Sequence, residues 1–277
     1  MRLAVISDLH LDINKIDRNS ALHEMAQYLL NQQVAVYVLA GDTFNQLAET
    51  ADFVRRLNHL VEPVTKVYYL AGNHEMGDGT SDEALENLAD PNYFHNKSLS
   101  FGAYEIIGNN GWYDYSFDEG RHDDETIHRF KQRFWYDRRI DEALPDREKA
   151  ERSAKQIEKA VLEAQKAGQK PLVISHFSTD QALVEQIPFS KPDLTILKAY
   201  LGSAALGRRL QELRVPFVLA GHVHWRMPAH RVNETTFYNV SLGYKTRRIH
   251  EWDQGDFFKE WKERLVMLDL YPSLERK

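Results

Sequence analysis

Five short apolar runs of this chain each end in side chains that bind metals. LAVISDLH delivers Asp8 and His10, VYVLAGD delivers Asp42, VYYLAGNHE delivers Asn73 and His74, PLVISHF delivers His176, and PFVLAGHVH delivers His222 and His224. Imidazole, carboxylate and amide donors of this kind suit Mn²⁺, Fe or Zn²⁺. Side chains alternate along extended backbone, so Asp8-x-His10 and His222-x-His224 each aim both residues to one side. A single histidine or aspartate after a strand is more often a cap or turn residue. Five strand ends carrying ligand types point instead to one two-metal site. Two divalent cations roughly 3.5–4 Å apart lower the pKa of a shared water, aim it at phosphorus and stabilise the entering and leaving oxygens. Against the two carboxylates of Asp8 and Asp42, and with a hydroxide between the ions, they leave about +1 by formal counting, which attracts an anionic ester.

The runs that carry these residues read Leu3–Ile6, Val34–Ala40, Val64–Ala71, Leu172–Ile174 and Phe217–Ala220. None alternates between apolar and polar, the pattern of strands covered on both faces. Between the first three, apolar residues recur at helical spacing over 20–31 (Leu22, Met25, Ala26, Leu29) and over 50–60 (Phe53, Val54, Leu57, Leu60). Strand, helix, strand, helix, strand is the signature of parallel crossover units, and open α/β sheets collect ligands beyond the carboxyl ends of their strands. Further on, the pattern predicts a short helix over 82–88 and strands over 97–101 and 104–108. A polar helix over 146–167 is closed by Gly168 and Pro171. More alternating strands are expected over 227–232, 235–240 and 265–270. No repeat or long linker divides the chain, so residues 1–277 read as one domain, with a cap insertion at about 109–150.

The 277 residues carry 41 Asp and Glu against 35 Lys and Arg, a formal charge of −6. That balance gives no general field for holding nucleic acid phosphates or an anionic membrane. With no cysteine, disulfides, thiolate metal sites and cysteine nucleophiles are excluded. No apolar run approaches the roughly 18 residues of a membrane helix, and Ser7, Asp8 and His10 cut short any secretory segment. The reading is a cytoplasmic chain with no membrane association and no obligate protein partner in evidence.

The order Asp-x-His, Gly-Asp, Gly-Asn-His-Glu, a later lone His and Gly-His-x-His, complete here from Asp8 to His224, resembles the calcineurin-like metallophosphoesterases. The resemblance implies a four-layer αββα sandwich of two mixed β-sheets, covering most of the chain except the middle insertion. It implies one metal on Asp8, His10, Asp42 and His224 and another on Asp42, Asn73, His176 and His222, with Asp42 shared. It also implies that His74, not a ligand, is the general acid beside the open coordination positions. The expected activity is hydrolysis of phosphate mono- or diesters, a nucleotide among the candidates, by metal-activated hydroxide. Two alternatives stay open: a nuclease of the Mre type, against which the net charge counts, and a non-catalytic scaffold like the retromer's metallophosphoesterase-like subunit. A scaffold is expected to lose ligands or the acid, whereas all are present. Glu75 and Asn45 are read as structural.

The insertion concentrates aromatics with positive charge, among them Trp112, Tyr113, Arg133 and Trp135. Such a mixture can stack a base or aryl group and neutralise phosphate. Equally, a helix over 123–137 would bury Ile127, Phe130 and Phe134 and leave its charges in solvent. Of the 12 histidines, the seven outside the motifs (His23, His59, His95, His122, His128, His230 and His250) follow no ligand spacing.

Overall fold

The computed structural model describes residues 1–141, 143–189 and 192–270. β1 (Arg2–Ile6), β2 (Val34–Ala40) and β3 (Lys66–Leu70) run parallel, joined by α1 (Arg18–Asn31) and α2 (Leu47–Val61). Leu3, Val5, Val36 and Val38 pack into the space between two sheets, while Ala4, Ile6, Tyr37 and Leu39 pack under helices. Apolar demand on both faces is why these strands show no alternation. α1 starts where Asp17 accepts the Ser20 amide at 2.8 Å, satisfying one of the helix's open donors.

Two short helices, α3 (Asn73–Met76) and α4 (Asp82–Glu86), lead to the hairpin of β4 (Lys97–Phe101) and β5 (Tyr104–Asn109). The insertion holds α5 (Asp124–Phe134), and α6 (Asp146–Lys166) returns the chain to β6 (Lys170–Ser175). Then follow α7 (Gln181–Glu185), α8 (Ala204–Glu212), β7 (Phe217–Ala220), β8 (His230–Val232), β9 (Thr235–Asn239), α9 (Phe257–Arg264) and β10 (Val266–Asp269).

The strands form two mixed sheets, ordered β10-β1-β2-β3 and β4-β5-β6-β7-β9-β8. In the second, β5, β6, β7 and β9 are parallel and β4 and β8 antiparallel at the edges. Val5, Val38, Leu70, Ile106, Leu172, Ile174 and Leu219 fill the gap between the sheets. α1, α2 and α9 cover the outer face of the first sheet, and α6 and α8 that of the second. The result is an α/β sandwich of four layers, as the resemblance implies.

Three expectations need correction. The helix expected over 123–137 stops at Phe134, where Trp135 turns extended and a 3₁₀ turn takes over at Tyr136–Arg139. Phe134, expected in the core, is 68% exposed; the helix instead buries Ile127 and Lys131, whose ammonium donates to Asp146 Oδ1 at 2.7 Å. The strand expected over 227–232 is confined to His230–Val232. α8 and α9 also stand where the sequence reading placed no helix. α9 buries only Phe257, Glu260 and Trp261 of its eight residues, too short an apolar face to register as periodicity.

Candidate metal centre

The parallel strands deliver their terminal residues through abrupt backbone turns. Asp8, Asp42 and His222 have φ of 58°, 55° and 66°, left-handed conformations that cost energy for any residue but glycine and cluster at functional sites. Gly72 stands where a Cβ would run into the Asp42 carboxylate, and Gly41, at φ 94°, where one would lie 2.5 Å from His176 Nδ1. Glu75 knits the second and third turns together. Its carboxylate accepts the amides of Asp42 (2.8 Å), Thr43 (2.8 Å), Phe44 (3.2 Å) and Gly72 (2.9 Å) and the Thr50 hydroxyl (2.8 Å).

Asp8 and Asp42 each use one oxygen for the frame and turn the other inward. Asp8 Oδ2 accepts the His222 amide at 2.9 Å, leaving Oδ1 3.0 Å from His224 Nε2 and 3.9 Å from His10 Nε2. Asp42 Oδ1 accepts the His74 amide at 2.9 Å, leaving Oδ2 3.6 Å from His176 Nε2, 3.8 Å from His10 Nε2 and 3.9 Å from His74 Nε2. Burial, together with Glu75 and Asp8, pushes the Asp42 carboxyl well above its ordinary pKa. Burial opposes ionisation of Asp8 too, but His224 outweighs it and holds that carboxyl below the usual range.

The histidine tautomers are set from outside the cluster. His176 Nδ1 donates to the Ala40 carbonyl (3.0 Å), His222 Nε2 to the Tyr200 carbonyl (3.1 Å) and His224 Nδ1 to Glu251 Oε2 (2.8 Å). On His176 and His222 the other ring nitrogen therefore offers its lone pair inward, and on His224 it does so once a cation displaces its proton; such outer hydrogen bonds are what orient metal-binding imidazoles. His176 Nε2 lies 3.2 Å from His222 Nδ1 and 3.2 Å from Asn73 Oδ1; His10 Nε2 lies 3.4 Å from His224 Nε2. Burial, aided by His224 and opposed by Asp8, holds His176 and His222 down at about 4. Burial likewise depresses His224, but Asp8 and Glu251 overcome it and lift that ring to about 10. Converging lone pairs at these spacings fit cations: ligands ~2.1 Å from an ion stand ~3.0–3.5 Å from one another. Among the described residues three groups able to hold a metal ion emerge, Asp8/His10/His224, His10/Asp42/His74 and Asp42/His176/His222, with His10 and Asp42 each in two of them.

His74 sits at the rim. Its Nδ1 faces Asn45 Oδ1 at 2.6 Å, its Nε2 lies 3.0 Å from the Tyr244 hydroxyl, and Tyr136 stacks on its face at 4.1 Å. Burial and the nearby imidazoles of His224 and His176 hold it down at about 3. Asn45, read from the sequence as merely structural, touches this ring directly. Glu251, Tyr244 and Asp137 went unnoticed in the sequence. Asp137 accepts Asn73 Nδ2 at 2.8 Å and Trp135 Nε1 at 2.9 Å, turning the Asn73 carbonyl oxygen inward. Glu251 and Asp137 belong to no motif and sit far from their partners in sequence, so only Asn45, three residues after Asp42, carried a positional signal.

The four insertion residues singled out for substrate contact are dispersed. Trp112 and Tyr113 are 2% and 0% exposed, stacked on each other at 4.5 Å and packed edge-on against Phe177. Trp112 Nε1 donates to Asp146 Oδ1 at 2.8 Å, and the Lys149 ammonium stands 3.5 Å from the ring centre. Both aromatics therefore sit inside the protein. Trp135 is half-buried and stacks on Tyr200 at 5.2 Å, while Arg133 is exposed on α5. Trp112→Ala is expected to cost ~3–5 kcal/mol of stability, as for other large-to-small changes at buried aromatics. Chemical denaturation measures the loss; a variant of wild-type stability would mean that the ring is not a core element.

No helix among the described residues is long and apolar enough to cross a membrane. No curated protein matches the chain. Among solved structures, phosphopantetheinyl hydrolase from Mycobacterium tuberculosis superposes with a TM-score of 0.65 at 16% identity, over 96% of this chain and 95% of that one. A dimetal phosphatase from Danio rerio does so with a TM-score of 0.50 at 14% identity, over 86% of each chain. At such identities the likeness is one of fold. The family model for calcineurin-like phosphoesterase matches residues 1–226, a span holding all five strand ends and every inward-facing ligand type described above, and the chain belongs to that family.

Proposed function

We propose that this chain is a two-metal phosphoesterase that hydrolyses phosphate mono- or diesters. One divalent transition-metal ion would be held by Asp8, His10, Asp42 and His224 and the other by Asp42, Asn73, His176 and His222. The observation that carries this reading is the inward pair of carboxylate oxygens, one each from Asp8 and Asp42, ringed by imidazoles of which His176, His222 and His224 have their outer nitrogens already engaged. When bound, the ions supply the charge that draws in a phosphate ester and lowers the pKa of water for attack at phosphorus.

The chain's own groups do the rest. Asn45 accepts from His74 Nδ1–H and so leaves Nε2 as the atom that handles a proton at the rim. His74 Nε2 passes that proton to the departing oxygen, as the general acid. A phosphate bound beside the ring offsets the burial that otherwise keeps it neutral. Tyr136, stacked on the imidazole, restricts its tilt, and Tyr244 fixes Nε2 from the other side.

The test is an assay of the Mn²⁺-loaded protein on bis-p-nitrophenyl phosphate, p-nitrophenyl phosphate, a nucleotide and a phosphopantetheine ester, the last because a protein of the same fold acts on that group. Hydrolysis of at least one ester, abolished by chelation and restored by metal, is expected. No turnover of any ester with both ions bound would contradict the proposal.

The outer supports lead to a further expectation. Asp137→Ala should weaken the ion on Asn73 and His222, and Glu251→Ala the ion on His224, each by ~10–100-fold. Calorimetric Mn²⁺ titration reads the two affinities separately. Unaltered binding in both variants would mean that these carboxylates do not orient the ligands.

A further inference from the structure

A cleft of about 350 Å³ lies between the loop that follows the β1 turn and the loop that follows β9, and its charged lining residues are all cations: Lys15, Lys245, Arg247 and Arg248. In a chain of net charge −6 this clustering runs against the general field. Lys245 Nζ donates to the Gly255 carbonyl at 2.5 Å. Lys15, Arg247 and Arg248 have no ion pair among the described residues.

The walls are fixed to one another and to the metal centre. Asn14 Nδ2 donates to the carbonyls of Leu9 (2.9 Å) and Gly243 (3.0 Å), and its Oδ1 accepts the Lys245 amide at 2.7 Å. The Asn14 amide donates to the His10 carbonyl at 2.8 Å. Tyr244, next in sequence to Lys245, stacks on His10 at 4.3 Å and reaches His74 Nε2 with its hydroxyl at 3.0 Å. A tyrosine's length plus one Cα–Cα step puts the Lys245 backbone within ~13 Å of that nitrogen.

We infer that this cleft binds a second anionic group on the leaving-group side of the substrate, so that the preferred esters carry a further phosphate ~10 Å from the scissile phosphorus. Arginines are suited to the task, since their planar fork matches phosphate oxygens in pairs. The inference rests on the phosphoesterase reading for the identity of the scissile group, but the cleft's own chemistry can be measured apart from it.

Extended 1,6-hexanediol bisphosphate spans about that distance, and hexyl phosphate is its match without the second charge. The wild-type protein, loaded with Mn²⁺, is expected to show a KM about tenfold lower for the bisphosphate. The double variant Arg247→Ala/Arg248→Ala should lose that preference while its kinetics on hexyl phosphate stay unchanged, because both side chains are exposed and neither is one of the proposed metal ligands. Calorimetry with hexane-1,6-bisphosphonate and hexylphosphonate measures the same preference without turnover. A binding preference that the double variant abolishes supports the cleft even if neither ester is hydrolysed, in which case only the phosphoesterase reading falls. Equal binding of the two phosphonates to the wild type, or a preference retained in the double variant, would overturn the inference.

Discussion

His74→Asn is expected to lower kcat by ~10²–10⁴-fold on alkyl phosphate esters and far less on p-nitrophenyl esters, with both metal ions retained. An alkoxide is a poor leaving group and needs its proton as the bond to phosphorus breaks, whereas p-nitrophenolate leaves readily without one. The geometry makes this a clean separation. His74 Nε2 is 3.9 Å from Asp42 Oδ2 and 3.0 Å from the Tyr244 hydroxyl, at the rim of the cluster and not at its centre. His74 also groups with His10 and Asp42 as a potential metal-holding set, so metal content must be read alongside the rates. Loss of an ion in His74→Asn would make His74 a ligand, and equal slowing on both ester types would exclude it as the proton donor.

Asp42→Ala is the second large effect. Its Oδ2 faces His10 on one side and His176 on the other, so its removal withdraws a carboxylate from both proposed ion sites at once. Each site should weaken, and the loss of several kcal/mol of charge stabilisation should cut kcat/KM by ~10³-fold or more. Removing the carboxylate also relieves the burial and the crowding with Glu75 and Asp8 that push the Asp42 carboxyl up. The metal-free variant is thus expected to fold at least as readily as the metal-free wild type. Inductively coupled plasma analysis and thermal melting without metal check the two halves of this expectation. Retention of both ions at wild-type affinity would end the case for a shared carboxylate.

The centre of the site was legible because its chemistry is written at strand ends. Uninterrupted apolar runs identified the strands, and the residue that closed each run was the one the turn delivers inward. What holds those residues was not legible. Glu251 meets His224 only because the loop after β9 folds back, and Asp137 meets Asn73 only because the 3₁₀ turn after α5 packs against α3. Neither contact has a spacing that sequence could reveal. The insertion was ambiguous for a different reason. Trp112 and Tyr113 with nearby lysines read alike whether they stack a ligand or pack inside, and here Lys131 and Lys149 are themselves buried against them. α9 escaped notice because FFKEWKER hides its burial among charges, Glu260 being fully buried and paired with Arg226.

The most direct measurement is the titration of metal-free protein with Mn²⁺, followed by electron paramagnetic resonance and by hydrolysis of bis-p-nitrophenyl phosphate in the same samples. Two ions per chain should bind, the pair should give the spectrum of two coupled ions, and hydrolysis should rise with occupancy of the second site. A single isolated ion at saturation, or hydrolysis that persists after complete chelation, would contradict the account.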